Sequence, residues 1–170
     1  MSTHWTNRLS DCQVLVLLQN AYTKGSLKQG WNYQRWFNEF STSRSGQRIS
    51  TVFEGQLKAP KYTNCTTKMG DNPDSLLVPM PSHVKSAISR VKPKILLACG
   101  AIAEDVAQQV WQGDLIVMPH PAFRVLTNSL LVAVREAICN RLDQYDNNSV
   151  DAPIRFKFAQ ERGKHKLFVL

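Results

Sequence analysis

The feature that most constrains this chain is an alternation of short apolar runs with longer segments of helical periodicity. KILLACG (94–100) leads directly into AIAEDVAQQVW (101–111), and DLIVMP (114–119) is followed by TNSLLVAVREAICNRLDQY (127–145). The apolar runs are short and rich in Ile, Leu and Val, the pattern of strands covered on both faces. QVLVLLQ (13–19) is a further strand candidate of this kind, and KYTNCT (61–66) reads as a second strand. Between them, NYQRWFNEF (32–40) sets Tyr33, Trp36, Phe37 and Phe40 at helical spacing. Pro79 and Pro81 then open SHVKSAISRV (82–91), with Val84, Ala87, Ile88 and Val91 on one face. Strands alternating with helices predict an α/β protein, a three-layer α/β/α sandwich around a central, mainly parallel sheet. The polar stretch 41–55 has no decisive period. The tail, DAPIRFKFAQERGKHKLFVL, alternates at Ile154, Phe156 and Phe158 and predicts a strand or hairpin at the sheet edge.

A chain of 170 residues is long enough to bury one real core. The expected organisation is an α/β domain over residues 1–150 with a basic C-terminal extension, 151–170, as an added edge strand. No apolar run approaches the roughly 20 residues that cross a bilayer, and MSTHWTNRLSDC lacks the order of a secretory signal. A cytoplasmic protein without membrane contact is expected, acting as a monomer. The four cysteines, Cys12, Cys65, Cys99 and Cys139, form no CxxC pair, so reduced thiols packed in the core are expected, with no metal and no cofactor. The formal net charge of +8 favours polyanionic partners. Much of it crowds the tail, at Arg155, Lys157, Arg162, Lys164 and Lys166.

In a parallel α/β sheet, ligands sit beyond the carboxyl ends of the strands. That rule selects the loops 19–30, 64–70, 100–103 and 119–126. The first offers Gln19, Asn20, Tyr22 and Thr23, and the second Asn64. The last, MPHPAFRVL (118–126), sets an imidazole, a rigid turn, an aromatic and a guanidinium side by side. A loop made only to reverse the chain would draw on Gly, Asn and Ser. Taken singly, His120 reads as an ordinary loop histidine, and Asn20 and Asn64 as turn residues; together they converge on one end of the sheet.

VLVLLQNAY, KYTNC, PKILLACGAIAEDVA and MPHPAFR fall in the order and approximate spacing of the motifs of the uracil-DNA glycosylase superfamily, which this chain resembles over residues 12–140. The resemblance implies a DNA partner and a DNA glycosylase that extrudes a base and hydrolyses its N-glycosidic bond. Asn20 falls where the family positions or activates the attacking water, and Gln19, just before it, contacts the base. Asn64 matches the Asn that reads the polar edge of the flipped base. His120 matches the His that hydrogen-bonds pyrimidine O2. Phe123 and Arg124 lie in the loop that the family presses into DNA, and Trp31 or Tyr33 would stack on the base. These residue types suit the chemistry. Extrusion costs a few kcal/mol, a wedge can hold the vacated stack open, and one well-aimed donor on the departing anion contributes ~3 kcal/mol.

Departures from the pattern matter. Asn20-Ala21-Tyr22 stands where uracil-specific relatives have Asp-Pro-Tyr, and Asn there resembles the mismatch-type branches. Tyr22, by contrast, matches the ring that excludes a C5 substituent. HPAFR lacks the serine of the HPS motif and adds Arg124, whose guanidinium can bind a phosphate or a polar group on a modified base. Some superfamily members defend bacteria by excising modified phage pyrimidines such as glucosylated hydroxymethylcytosine. The expected substrate is accordingly a modified or non-standard pyrimidine. The alternatives are a uracil or mismatch glycosylase of DNA repair, a non-catalytic DNA-binding module on the same fold, and an α/β enzyme acting on free nucleosides.

Overall fold

The computed structural model describes residues 13–19, 21–22, 32–55, 57–70 and 77–170. Its spine is a six-stranded sheet built from β1 (Val14–Leu18), β3 (Lys61–Asn64), β5 (Ile95–Cys99), β6 (Asp114–Met118), β7 (Arg155–Glu161) and β8 (Lys164–Val169). Their spatial order is β3-β1-β5-β6-β7-β8, parallel throughout except for β8, which runs antiparallel to β7. A separate two-stranded parallel ladder pairs β2 (Ala21–Tyr22) with β4 (Met69–Gly70).

The central strands alternate between two apolar layers, as the period of two along a strand demands. Val14, Val16, Leu18, Ile95, Leu97, Cys99, Ile116 and Met118 point to one face. There they meet α1 (Tyr33–Thr42), α2 (Arg44–Val52) and α5 (Asn128–Asp146) through Trp36, Ile49, Val52, Leu130, Leu131, Val134 and Ile138. Leu15, Leu17, Leu96, Ala98, Leu115 and Val117 point to the other face, against α3 (Pro81–Val91) and α4 (Ala101–Val110). The protein is therefore the α/β/α sandwich that its sequence predicts. Among the described residues, no helix is long and apolar enough to cross a membrane.

One local feature departs from the sequence reading, and the α1 stripe follows it. The polar stretch after α1 folds as α2, capped by Ser43, whose Oγ accepts from the Gly46 amide at 3.1 Å. Gly46 lies so close to α1 that a Cβ would stand 1.9 Å from the Phe40 carbonyl oxygen. Helix α2 buries only Gly46, Ile49 and Val52, too sparse a stripe to declare itself in the sequence. The aromatic stripe of α1 is core: Trp36 stacks on Phe40 with centroids 5.1 Å apart, and both rings meet Tyr62 of β3.

The basic tail is part of the sheet. β7 aligns Arg155, Phe156 and Lys157 with Leu115, Ile116 and Val117 of β6, and it buries Phe158. β8 is exposed along its whole length, with Leu167, Phe168 and Val169 at the edge beside Lys164 and Lys166. Charged lysines on such an edge discourage pairing with other chains.

Candidate functional site

β1 pairs with β3 on one side and with β5 on the other, so the chain reverses its direction across the sheet at β1. The crevice beyond the carboxyl end of such a strand is where open α/β sheets hold ligands. Leu18 pairs with Asn64, and Cys99 pairs with Met118, so the last residues of β3, β1, β5 and β6 form one row at the carboxyl end of the sheet. Gln19, Asn64 and His120 all stand at or just beyond this row.

Asn64 closes β3 with a fully buried side chain, and neither its Oδ1 nor its Nδ2 has a hydrogen-bond partner among the described residues. Leaving a buried polar group unpaired costs about 1–3 kcal/mol. An amide with two such atoms calls for an explanation, and a ligand that pairs with both supplies one. Below it, Thr63 Oγ1 lies 3.3 Å from His83 Nε2 on the opposite face. Burial, with a smaller contribution from Arg90, holds His83 below the ordinary histidine pKa.

His120 lies two residues beyond β6. Its Nδ1 accepts a hydrogen bond from the Ala122 amide at 3.1 Å. An accepting Nδ1 assigns the proton of the neutral ring to Nε2, making Nε2–H the donor left to a ligand. Burial lowers the pKa of the ring, which favours that neutral form. Gly100, at φ +94°, forms the floor: a Cβ there would come within 3.2 Å of His120 Cβ. The short interval after β5 thus needs glycine both for its left-handed backbone and for the approach of the imidazole. His120 rests over the end of β5, two strand spacings from Asn64, on the order of 10 Å.

The loop after His120 is held in shape. The Phe123 amide donates to the His120 carbonyl at 2.9 Å, and Pro121 is buried. Arg48 of α2 donates through Nη1 to the carbonyls of Pro121 and Phe123, each at 2.7 Å. Burial, and then the charge of Arg44, lowers the pKa of this guanidinium. Sequence reasoning misses Arg48 and has no means of finding it. The bonds join residues 73 and 75 apart, from a segment without decisive helical period. Phe123 and Val125 project into solvent, 45% and 60% exposed, with Arg124 exposed between them.

Gln19 is half-buried at the end of β1, and its carbonyl accepts from the Cys65 amide at 3.1 Å. Asn20 and Trp31 lie outside the described residues, as do the side chains of Tyr22 and Tyr33, whose backbones belong to β2 and α1. The structure therefore brings Gln19, Asn64, His120, Phe123 and Arg124 to one end of the sheet. Cys65, Cys99 and Cys139 are free thiols. Burial pushes Cys65 up to about 12 and Cys99 higher still, so neither serves as a thiolate at neutral pH. Cys12 is outside the described residues. No protein-family model matches the chain, and no curated protein matches it.

Proposed function

We propose that this chain is a monofunctional DNA glycosylase that receives an extruded pyrimidine, modified or non-standard, between Asn64 and His120. The carrying observation is the buried amide of Asn64, unpartnered at both atoms among the described residues, in the same row of strand ends as a neutral imidazole whose Nε2–H meets no acceptor among them. A pyrimidine presents a donor and acceptor pair at N3 and C4 and, next to the glycosidic nitrogen, the carbonyl O2. The amide offers one donor and one acceptor to the first, and the imidazole one donor to the second. The amide is shielded from solvent, so a ligand reaches it only when its surroundings part, as suits a site that closes on an extruded base.

In the reaction, water adds to C1′ of the sugar as the C1′–N bond breaks, and the bonding pair leaves with the base. Negative charge collects on the pyrimidine, and His120 Nε2–H stabilises it at O2. Asn20, from the resemblance, would orient the water. The added water sheds a proton to solvent and the departed base anion takes one up, so the products are the neutral free base and an abasic site. Phe123, exposed at the front of a braced loop, fills the gap left in the stack, and Arg124 meets a phosphate or a substituent on the modified base.

The test is base release from duplexes carrying uracil, thymine mismatches, hydroxymethylcytosine or glucosylated hydroxymethylcytosine, read as alkali-labile sites. His120→Ala is expected to reduce release 10²–10³-fold, roughly the effect of removing one oxyanion donor. Asn64→Leu separates function from structure. It is expected to abolish release while Tm stays level or rises, because it removes an amide unpaired in the free protein. A Tm that falls by several degrees would make Asn64 a structural residue. Silence across the panel with tight, salt-sensitive DNA binding would favour a non-catalytic reader, and turnover of free nucleosides without DNA would favour a nucleoside enzyme.

A further inference from the structure

β7 outruns its neighbour. Val117 pairs with Lys157, so Met118, the last residue of β6, lies alongside Phe158. The hairpin continues through Glu161 before turning at Arg162-Gly163. Three further residues carry the turn about 10 Å past the end of β6. Because β7 is parallel to β6, this overhang projects from the end of the sheet that carries His120. It is also tied to the His120 loop. Thr127, the N-cap of α5, donates to Gln160 Oε1 at 2.9 Å, and Gln160 Nε2 donates to the Lys164 carbonyl at 2.9 Å.

The residues at the tip are unusual for a turn. A two-residue hairpin turn with both central residues at positive φ favours Asn-Gly or Asp-Gly. Here Arg162 holds φ +45° ahead of Gly163 at φ +76°. Among the described residues, the side chains of Arg162 and Lys164 have no hydrogen bond or ion pair, whereas Glu161 is neutralised by Lys166 at 2.9 Å. The tip thus presents two uncommitted cations on an overhang fixed beside the wedge loop.

We infer that the β7–β8 hairpin tip is a second contact to nucleic acid, in which Arg162 and Lys164 take backbone phosphates flanking the nucleotide held at Asn64 and His120. This assignment rests on the reading of DNA as the substrate. Phosphate contacts position a protein without reading sequence, so the tip would fix the register of the wedge loop on the duplex.

The experiment is equilibrium binding of an undamaged 20-base-pair duplex across a salt series. Arg162→Glu and Lys164→Glu are compared with Lys92→Glu. Lys92 is an exposed lysine with φ +50° at the C-terminus of α3, next to the amino end of β5, and it controls for net charge and backbone conformation. The two hairpin variants are expected to weaken binding several-fold and to reduce the slope of log K against log salt by about 0.9 for each phosphate no longer neutralised. Lys92→Glu should leave the slope unchanged. Arg162→Asn supplies a residue better suited to the turn, so it should preserve or raise Tm while weakening binding. Equal behaviour of the hairpin variants and Lys92→Glu, or no duplex binding by the parent protein at low salt, would overturn the assignment. Base release measured alongside separates the two claims. Loss of release in His120→Ala with unchanged binding in Arg162→Glu removes the hairpin alone. A reduced slope with no release from any substrate removes the glycosylase reading alone.

Discussion

At the scale of single residues, His120 couples protonation to loop shape. The Ala122 amide can donate to Nδ1 only while that nitrogen is bare. Protonation sets two N–H groups against each other and also places a charge in a half-buried position. The folded-state pKa therefore lies below the ordinary 6.5, with burial as its cause. Below 6.5 the unfolded chain takes up the proton more readily than the folded one. The stabilising contribution is thus complete above that pH and is lost as pH falls toward the folded pKa. His83 is shifted in the same direction and contributes to the same acid sensitivity. Base release should show an acid limb with its midpoint below 6.5. His83→Leu should retain this limb in activity while removing part of the acid dependence of Tm. An acid limb that disappears in His83→Leu would assign the titration to the wrong imidazole.

At the scale of elements, the site is a loop braced by a helix that the sequence hardly announces. Strands β1, β5 and β6 are legible because doubly covered strands must be continuous apolar runs, whereas β3, KYTN at the sheet edge, carries no such run; the rule of carboxyl ends then locates Asn64 and His120. Helix α2 is not, because a helix that buries one glycine and two aliphatic residues carries little periodic signal. Nor is the Asn64 amide's lack of partners, since satisfaction of a hydrogen bond is a property of three-dimensional neighbours. Asn in KYTNC reads equally well as a turn residue. Arg48 connects the two cases: its helix is obscure and its partners are remote carbonyls. Arg48→Ala should release the Pro121 and Phe123 carbonyls and let the loop sample other shapes. We expect kcat for base release to fall about tenfold or more, given the sensitivity of such chemistry to displacements near 1 Å. Arg48→Lys should recover part of this, because an ammonium still donates but lacks the fixed geometry of the guanidinium. The 15N shifts of His120 provide a readout independent of activity. Unchanged ring shifts in Arg48→Ala would show that the clamp does not position the imidazole.

At the scale of the whole molecule, the sheet has two poles with different duties. The carboxyl pole carries the orphaned amide, the imidazole and the exposed loop, features that weaken a fold. At the amino pole, Asp114 opens β6 with its carboxylate only 1% exposed. It accepts from Arg141 Nε at 2.6 Å and Nη2 at 3.0 Å, from the Tyr145 hydroxyl at 2.8 Å, and from the Ile154 amide at 2.8 Å. Arg141 also donates to the Ala152 carbonyl at 2.8 Å. One carboxylate thus locks β6, α5 and the entry to β7 together. Asp114→Asn keeps the shape but turns an NH2 toward those donors and leaves the buried Arg141 charge uncompensated. Breaking one partner of such a pair costs roughly 3–5 kcal/mol, which lowers Tm by about 6–20 °C in a chain of this size. Combining Asp114→Asn with Arg141→Met should cost less than the sum of the two single changes, because the second removes the charge that the first strands. At 15 °C, where the single variant remains folded, duplex binding and base release per folded molecule should match the parent, since the lesion lies at the far end of every strand from Asn64 and His120. Loss of release at full folding would show instead that the amino pole sets the geometry of the site through β6.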